Sequence, residues 1–450
     1  MNNKRLQQSL VILTCGVVMT TGVSQVNAAG FQLIEQSVSS MGTAYAGASA
    51  LAEDATTVFF NPAGMTRLPG SNVSGGLHIV IPGAEFSDRG STHVLGAAGV
   101  TLGNNSGGDA GEVAFAPNLF LTHELNEKVF LGLGLNVPFG LATEYPDSWM
   151  GRYHATRSEI MTFNINPSLA YKVNDALSLG IGINAMYIDA ELSNAIDFGS
   201  MDALGLFGLP PGALGLTPAA SDGKATVSGD DWGWGYNLGL MYELPQTRFG
   251  VSFRSKVDFD VSGEGEFKVP HPGLATAFSN TGAHSDVTLP WTFSLSAVHQ
   301  LNPEWSIMAD YTRTGWSSLE ELRFKFNNGL PDGVTTMEWK DSNRFSVGAT
   351  YTPDPKWTYR AGLAYDESPV PNAEYRTPRV PTDDRIWLAF GIGYKISSSL
   401  SLDVGYAHLF VDDPEVDKDI TDPENTLRGG LNGVYDASVD IVSAQLNWRF

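Results

Sequence analysis

Four cations stand among apolar neighbours in positions where they could do chemistry. Arg254 and Lys256 fall on the polar face of an alternating run whose other face carries Phe253, Val257 and Phe259. Arg360 alternates with Tyr359 and Ala361, and Arg385 with Ile386 and Leu388. Such groups can hold a carboxylate through charge-assisted hydrogen bonds. They can equally neutralise internal acids, for which Asp310, Asp366, Asp403, Glu53 and Asp54 are available. Desolvation demands a partner in either case. Nucleophilic chemistry needs a nucleophile, a base and an orienting group in register. None of the 8 histidines falls in a serine-hydrolase motif, and Ser401 and His408 alternate onto opposite faces. The acidic run VDDPEVDKDITDPEN at 411–425 lacks the central glycine and terminal glutamate of a calcium loop, so it reads as solvated loop and no metal is expected.

The elements that position these residues are strands. Val129, Leu131, Leu133, Leu135 and Val137 share one face of their run, and Lys128, Gly132, Gly134 and Asn136 the other. Trp232, Trp234, Tyr236, Leu238, Leu240 and Tyr242 oppose Gly233, Gly235, Asn237 and Gly239 in the same way. One apolar face per strand fits either a soluble sandwich with that face inward or a membrane barrel with it outward. The polar faces favour the barrel, being rich in Gly, Asn and Ser and poor in the Lys and Glu of a solvated sheet. Aromatic clusters such as WGWGY at 232–236 and WRF at 448–450 suit interfacial girdles, and short links at 126–128 and 245–247 alternate with long excursions at 193–228 and 411–433. The expected fold is all-β, a 14-stranded antiparallel transmembrane barrel, with strands near 71–86, 110–125, 127–140, 158–173, 176–192, 229–244, 246–262, 286–300, 303–321, 339–353, 356–368, 384–397, 399–411 and 434–450. Segment 90–103 is the weak point, readable as strand or loop. The final strand ends on an apolar face at Phe450, which suits the closing seam of an outer-membrane barrel.

Composition agrees. The chain has 450 residues with 49 glycines, and its formal charge of −22 makes nucleic acid a poor partner. Residues 1–28 combine a basic start, an apolar stretch and a VNA/AG junction, the pattern of a secretory signal peptide cleaved after Ala28. The single cysteine, Cys15, lies inside that leader.

Residues 29–70 do not alternate. They are rich in small residues, carry the turn sequence NPAG, and are too few to bury a core of their own. They need a host, and the lumen of a barrel at 71–450 offers one. The blocks AGFQLIEQSVSSMGTAYAG, ALAEDATTVFFNPAG, GLATEYPDSWMGRYH from 140, YKVNDALSLGIG from 171 and TPRVPTDDRIWLAFGIGY from 377 resemble the FadL family of outer-membrane transporters for long-chain fatty acids and other hydrophobic compounds, which includes the TodX type. The resemblance spans the expected mature chain. It implies a barrel plugged by an N-terminal hatch, and the family's asparagine, proline, alanine motif falls on Asn61, Pro62 and Ala63.

By the same resemblance the third strand bends inward and leaves a gap in the wall. The matching place here is Val137, Pro138, Phe139 and Gly140, where Pro138 independently lacks the amide a ladder needs. The loop at 193–228 carries Leu204, Leu206, Phe207, Leu209 and Leu214, an apolar patch that the resemblance makes a capture groove together with 141–157. The expected function is uptake of hydrophobic compounds across the outer membrane, with a long-chain fatty acid as leading substrate and a monoaromatic or alkane as rival. A polar-solute porin and a lipid hydrolase are the alternatives of other classes. Expected partners are outer-membrane lipid and lipopolysaccharide, the hydrophobic substrate and the outer-membrane assembly machinery. The protein is expected to act as a monomer, without cofactor.

Overall fold

The computed structural model describes residues 30–450, so the expected leader and its cleavage junction lie outside the described residues. In chain order the sheet comprises β1 (Ser71–Asp88), β2 (Ala114–Asn126), β3 (Val129–Asn136) continued by β4 (Gly140–Glu144), β5 (Arg157–Lys172), β6 (Leu177–Asp197), β7 (Asp222–Glu243), β8 (Thr247–Arg254) continued by β9 (Val257–Lys268), β10 (Thr281–Leu289) continued by β11 (Thr292–Gln300), and β12 (Trp305–Thr314). It goes on through an outer hairpin, β13 (Glu321–Phe326) and β14 (Gly333–Thr336), then β15 (Ser342–Tyr351), β16 (Trp357–Asp366), β17 (Arg385–Lys395), β18 (Leu400–Val411), the short outer β19 (Glu415–Lys418) and β20 (Leu431–Arg449). With each continued strand counted once, 14 antiparallel strands form a closed ring. The seam is β1 on β20, paired from Asn72↔Arg449 to Asp88↔Gly433, and Ser71 and Phe450 complete it with two backbone hydrogen bonds of 3.1 and 2.9 Å. Closure leaves no sheet edge in hydrocarbon, where each unpaired backbone group would cost several kcal/mol.

The apolar faces point outward as the alternation predicts, and Trp234 is 69 % exposed. Aromatic side chains form two belts. Trp305 with Tyr351 and Trp357 with Tyr394 gather near the short turns, while Tyr187 with Trp232 and Tyr311 with Phe345 gather toward the long loops. Between the belts lies the apolar band that a bilayer requires.

Several expectations need correction. β6 and β7 remain paired out to Asp197↔Asp222, so both ends of the excursion at 193–228 are strand, followed after β6 by a helix over Phe198–Ala203. Segment 90–103 is not part of the wall; it holds a Thr92↔Gly430 bridge and a short 3-10 turn over Gly96–Ala98. The strand expected at 246–262 is two strands, and the irregularity at Ser255 and Lys256 reverses the faces beyond it. Val257 and Phe259 are buried, and Lys256 is exposed, paired with Asp258 at 3.0 Å rather than sharing the inner face with Arg254. Val137 does not continue the outward face of β3 either: it is buried, because the chain turns inward after Asn136.

Residues 30–70 are mostly buried and touch strands on opposite arcs of the ring. Glycines on the inner faces make this possible. A Cβ added at Gly180 would lie 2.3 Å from Ala63 N, one at Gly250 1.9 Å from Ser49 O, one at Gly362 2.0 Å from Thr43 C, and one at Gly391 2.8 Å from Gly42 Cα. Backbone therefore packs directly on backbone, with no room for a side chain. Gly250→Val should force the segment off its seat at a cost of about 1–3 kcal/mol, the usual scale of overpacking. Hydrogen exchange should then show lost protection confined to residues 31–68, with the barrel still migrating as a heat-modifiable folded species. Unchanged protection would show that the contact does not hold the segment.

Candidate functional site

The Asn61, Pro62, Ala63 motif fastens the N-terminal segment. Asn61 caps a 3-10 helix over Pro62–Arg67, its Oδ1 accepting the Ala63 N–H at 3.1 Å, and Pro62 occupies the first turn, where a missing amide costs nothing. The Asn61 amide nitrogen donates to Ser49 O at 2.7 Å and to Leu240 O on β7 at 3.0 Å, so one side chain joins two turns of the segment to the wall. The backbone of Pro62 and Ala63 lies so close to Gly180 that residue 180 has no room for a side chain.

Next to this motif the segment and the wall enclose a cavity of about 80 Å³. Its apolar lining comes from Ile34, Phe59, Phe60, Trp316 and Trp387, and its charged lining from Arg254, Arg344, Asp310 and Asp366. The cations differ in how they are satisfied. Arg360 is fully engaged, at 2.7 Å from Asp403 and 3.1 Å from Glu53. Arg385 is buried beside Asp366 at 3.4 Å and does not line the cavity. Arg254 has no carboxylate within ion-pair distance among the described residues; it donates to Asn184 Oδ1 and, at 2.9 Å, to Phe59 O, with its guanidinium 4.4 Å from the Phe59 ring centre. Arg344 donates to Ala44 O at 2.9 Å, while its Nε and Nη1 have no hydrogen-bond partner among the described residues. The sequence reading missed Arg344, although Ser342, Arg344 and Ser346 alternate with Asn343, Phe345 and Val347 as clearly as any other run.

Glu35 belongs to the same environment. It is buried, its Oε2 has no partner among the described residues, and burial pushes its carboxyl up to about 7 against the pull of Arg385 and Arg344. The segment that carries it reaches the wall at Val137, Pro138, Phe139 and Gly140. Leu33 N–H donates to Pro138 O at 2.8 Å, Gly140 N–H to Phe31 O at 2.9 Å, and the Gln36 amide to Val137 O at 2.8 Å. The β2–β3 ladder, by contrast, stops at Leu119↔Leu135. Beyond that point residues 137–140 pair with the N-terminal segment in place of β2, and Phe31, Phe139, Trp316 and Trp339 form one aromatic cluster behind the break.

The outer loops are arranged otherwise than a simple groove. Leu204, Leu206 and Leu209 stand exposed, Phe207 folds back onto Phe198 and Phe278, and Leu214 N–H donates to the buried Asp202. The 141–157 loop buries its apolar groups: Trp149 is stacked on Tyr145 at 4.0 Å between ring centres, and Arg152 ties the loop to Asp222 at 2.7 Å. His93, Asp197 and Ser200 meet in this region, yet they form no hydrolase triad. His93 Nδ1 accepts the Leu95 N–H, so Nε2 carries the proton toward Asp197 at 2.7 Å. Ser200 donates to that same carboxylate, which leaves no base for the hydroxyl.

A family profile described as "Outer membrane protein transport protein (OMPP1/FadL/TodX)" matches residues 19–450. The chain is 31 % identical to the long-chain fatty acid transport protein of Escherichia coli (strain K12), over 86 % of this chain and 89 % of that one. It is 32 % identical to outer membrane protein P1 of Haemophilus influenzae (strain KW20), over 99 % of this chain and 100 % of that one. The crystal structure of a Pseudomonas aeruginosa FadL homologue superimposes with a TM-score of 0.83 at 25 % identity, covering 94 % of this chain and 100 % of that one. With a closed, outward-apolar ring of strands and a family profile that spans it, the protein is an outer-membrane transporter of hydrophobic compounds and belongs to the OmpP1/FadL/TodX family.

Proposed function

We propose that the protein takes up long-chain fatty acids, with residues 29–70 as a hatch that occludes the lumen. Ligand collects at the apolar outer tip formed by Leu204, Leu206 and Leu209, with Phe207 and Leu214 behind it. It then passes to the cavity against the hatch and leaves sideways through the wall at Val137–Gly140. The observation that carries the substrate is the state of two cations. Arg254 is buried on neutral partners and Arg344 lines the same cavity with two nitrogens unused; Asp310 and Asp366 line it too, but among the described residues neither stands at ion-pair distance from these two arginines, so a ligand carboxylate would take up the hydrogen-bonding capacity left on them. Arg360 and Arg385 serve instead to neutralise Asp403, Glu53 and Asp366, and Lys256 lies outside the cavity. The name of the Escherichia coli relative points the same way. Sideways release is physically economical, since an acyl chain entering hydrocarbon directly avoids about 25 cal/mol per Å² of exposure to periplasmic water.

A monoaromatic or alkane is the second reading, favoured by the cavity's small volume and aromatic lining. At about 80 Å³ it is smaller than the roughly 150 Å³ apolar cavity that admits benzene, so any longer chain has to displace Phe59 or Phe60. As partners we propose lipid and lipopolysaccharide around the outer belt and the assembly machinery acting on the terminal strand that ends at Phe450, with the protein working as a monomer.

Binding of oleate, its methyl ester and toluene at matched free concentration tests the substrate. Oleate should bind best, and Arg254→Gln should weaken it roughly 10- to 100-fold, the worth of a charge-assisted hydrogen bond at 1.5–3 kcal/mol, without changing the ester. Equal binding of oleate and ester by the unmodified protein would remove the carboxylate role.

The gate is tested by a cross-link. Gln32 and Phe139 face each other as a non-hydrogen-bonded antiparallel pair, at about 4.5 Å between Cα atoms, inside disulfide range. Gln32→Cys/Phe139→Cys should, when oxidised, retain oleate binding and lower uptake, with recovery on reduction; uptake that ignores the redox state would exclude this gate.

Glu35 gives the hatch a pH dependence. Its carboxyl sits at about 7 when docked against 4.5 when free, so the docked state holds a proton that the released segment gives up. Docking is favoured fully below about 4.5 and weakens as pH rises through about 7. Single-channel openings should therefore be more frequent at pH 8 than at pH 5.5, and Glu35→Gln should flatten the difference; an unchanged pH profile in that variant would assign the effect elsewhere.

A further inference from the structure

The wall is interrupted a second time, on the arc in front of the cavity. β7 pairs with β8 up to Asn237↔Arg254 and with β9 only from Asp230↔Ser262 outward. Between these registers no ladder joins 231–236 to 255–261. Ser255 N–H donates to Tyr236 O at 2.9 Å, Tyr236 N–H to Ser255 Oγ at 2.9 Å, and Asp260 N–H to the Asp231 carboxylate at 2.8 Å. The neighbouring pairs fail at the same height. β8 on β11 ends at Arg254↔Thr292 while β9 on β10 resumes at Val257↔Leu289, with Pro290 and its missing amide in the break. β11 on β12 ends at Thr292↔Thr314, and β10 meets β13 only at His284↔Lys325 and Ala283↔Phe326.

Three adjacent strand pairs thus lose register along one line, and the residues that end their ladders are cavity residues: Asn237, Arg254, Thr292 and Thr314 all line it. The line is sealed by side chains. From inside, Val257 and Phe259 fill the space beside Gly233, where a Cβ would come within 2.5 and 2.8 Å of them. From outside, Tyr236, Phe253 and Trp291 form an aromatic row, with ring centres 6.0 and 6.3 Å apart. A cation stands on each side, Arg254 within and Lys256 without. In a bilayer a broken ladder is tolerated only where something else meets the freed backbone groups, and here Ser255 Oγ and the Asp231 carboxylate take the amides of Tyr236 and Asp260.

We propose that this seam is a second lateral port, through which an apolar chain bearing one carboxylate exchanges between the cavity and the outer leaflet. It rests on the carboxylate-ligand reading above but not on the gate at 137–140. Opening it requires rotation of aromatic side chains and loss of a few side-chain-assisted bonds, where opening a regular strand pair would break a whole ladder.

Two staples separate the routes. A Cβ at residue 235 lies 2.9 Å from Ser255 Oγ, so Gly235→Cys/Ser255→Cys can close the seam with a disulfide. Uptake of labelled oleate would be measured in cells carrying the full-length protein with this pair, with Gln32→Cys/Phe139→Cys, or with both, oxidised and reduced. The gate staple alone should leave residual uptake, the seam staple should lower uptake, and the two together should abolish it, with recovery on reduction. A gate staple as complete as the double staple, or a seam staple without effect, overturns the port. If even the double staple leaves uptake unchanged, lateral release falls as well, whereas equal binding of oleate and its ester removes only the carboxylate. Trp291→Ala adds no cross-link and serves as the second measurement: it should raise the residual uptake of the gate-stapled protein several-fold, and no increase counts against the port.

Discussion

Everything in this structure depends on the pairing of backbone hydrogen-bonding groups in a medium that offers no water. A sheet in hydrocarbon must have no edge, so β1 meets β20 over their whole shared length and Phe450 bonds back to Ser71. A ring of 14 strands is wider than the eight-stranded barrels whose interiors side chains alone can fill. A transporter of apolar solutes gains little from an aqueous pore, and the N-terminal residues lie against the inner faces of strands from every arc. The same rule gives interruptions their meaning. Where β3 leaves β2 at Leu135, the backbone groups of 137–140 are taken over by residues 31–36, so this break in the wall and the seating of the N-terminal segment are one set of hydrogen bonds.

Glycine connects composition to this arrangement. The inner faces are poor in side chains because backbone must approach backbone there, as at Gly180, Gly250 and Gly362. At these wall positions glycine records the close approach of residues 30–70 rather than any weakness of the strands. It also explains why a segment too small to fold alone can be ordered, since its core is completed by the wall: Met41, Ala44 and Tyr45 cluster with Val80, Trp387 and Ile441.

The period-two pattern made the barrel legible in the sequence, because lipid outside and packed polar groups inside impose opposite demands on successive residues. Strand number and closure followed from it. The pattern failed where a backbone irregularity changes its phase, and no residue type announces such a shift. Ser255 and Lys256 turn Val257 and Phe259 inward and Lys256 outward, and the inward turn after Asn136 buries Val137. Pro138 was a readable warning at the second of these places, and Pro290 was one at the break between β10 and β11, which the expected strand at 286–300 ran through. The outer strand extensions were missed because their outward faces are polar, as with Ser228 opposite Glu264, so the apolar signal that marks wall strands lapses while the pairing continues. The Asn61, Pro62, Ala63 block was legible as turn chemistry, but its partner, a carbonyl of β7, is fixed only by tertiary contact.

Sequence could name the lumenal cations but not rank them, since pairing is a property of three-dimensional neighbours. Arg360 finds one acid on a nearby strand and one in the N-terminal segment, and Arg385 one on the adjacent strand, which spends their charge on internal neutrality. Arg254 and Arg344 instead rely on carbonyl oxygens, an asparagine and aromatic faces. Such partners are enough to keep a guanidinium buried without saturating it, because neutral acceptors recover only part of the solvation that burial removes. A site held in that condition discriminates by charge more than by shape: an anionic head gains from both cations, whereas a neutral molecule of the same length gains only its apolar contacts. Under the proposed fatty-acid reading, the preference of the cavity would be set less by the greasy residues that dominate its surface than by Arg254 and Arg344, the two arginines without an acid at ion-pair distance among the described residues.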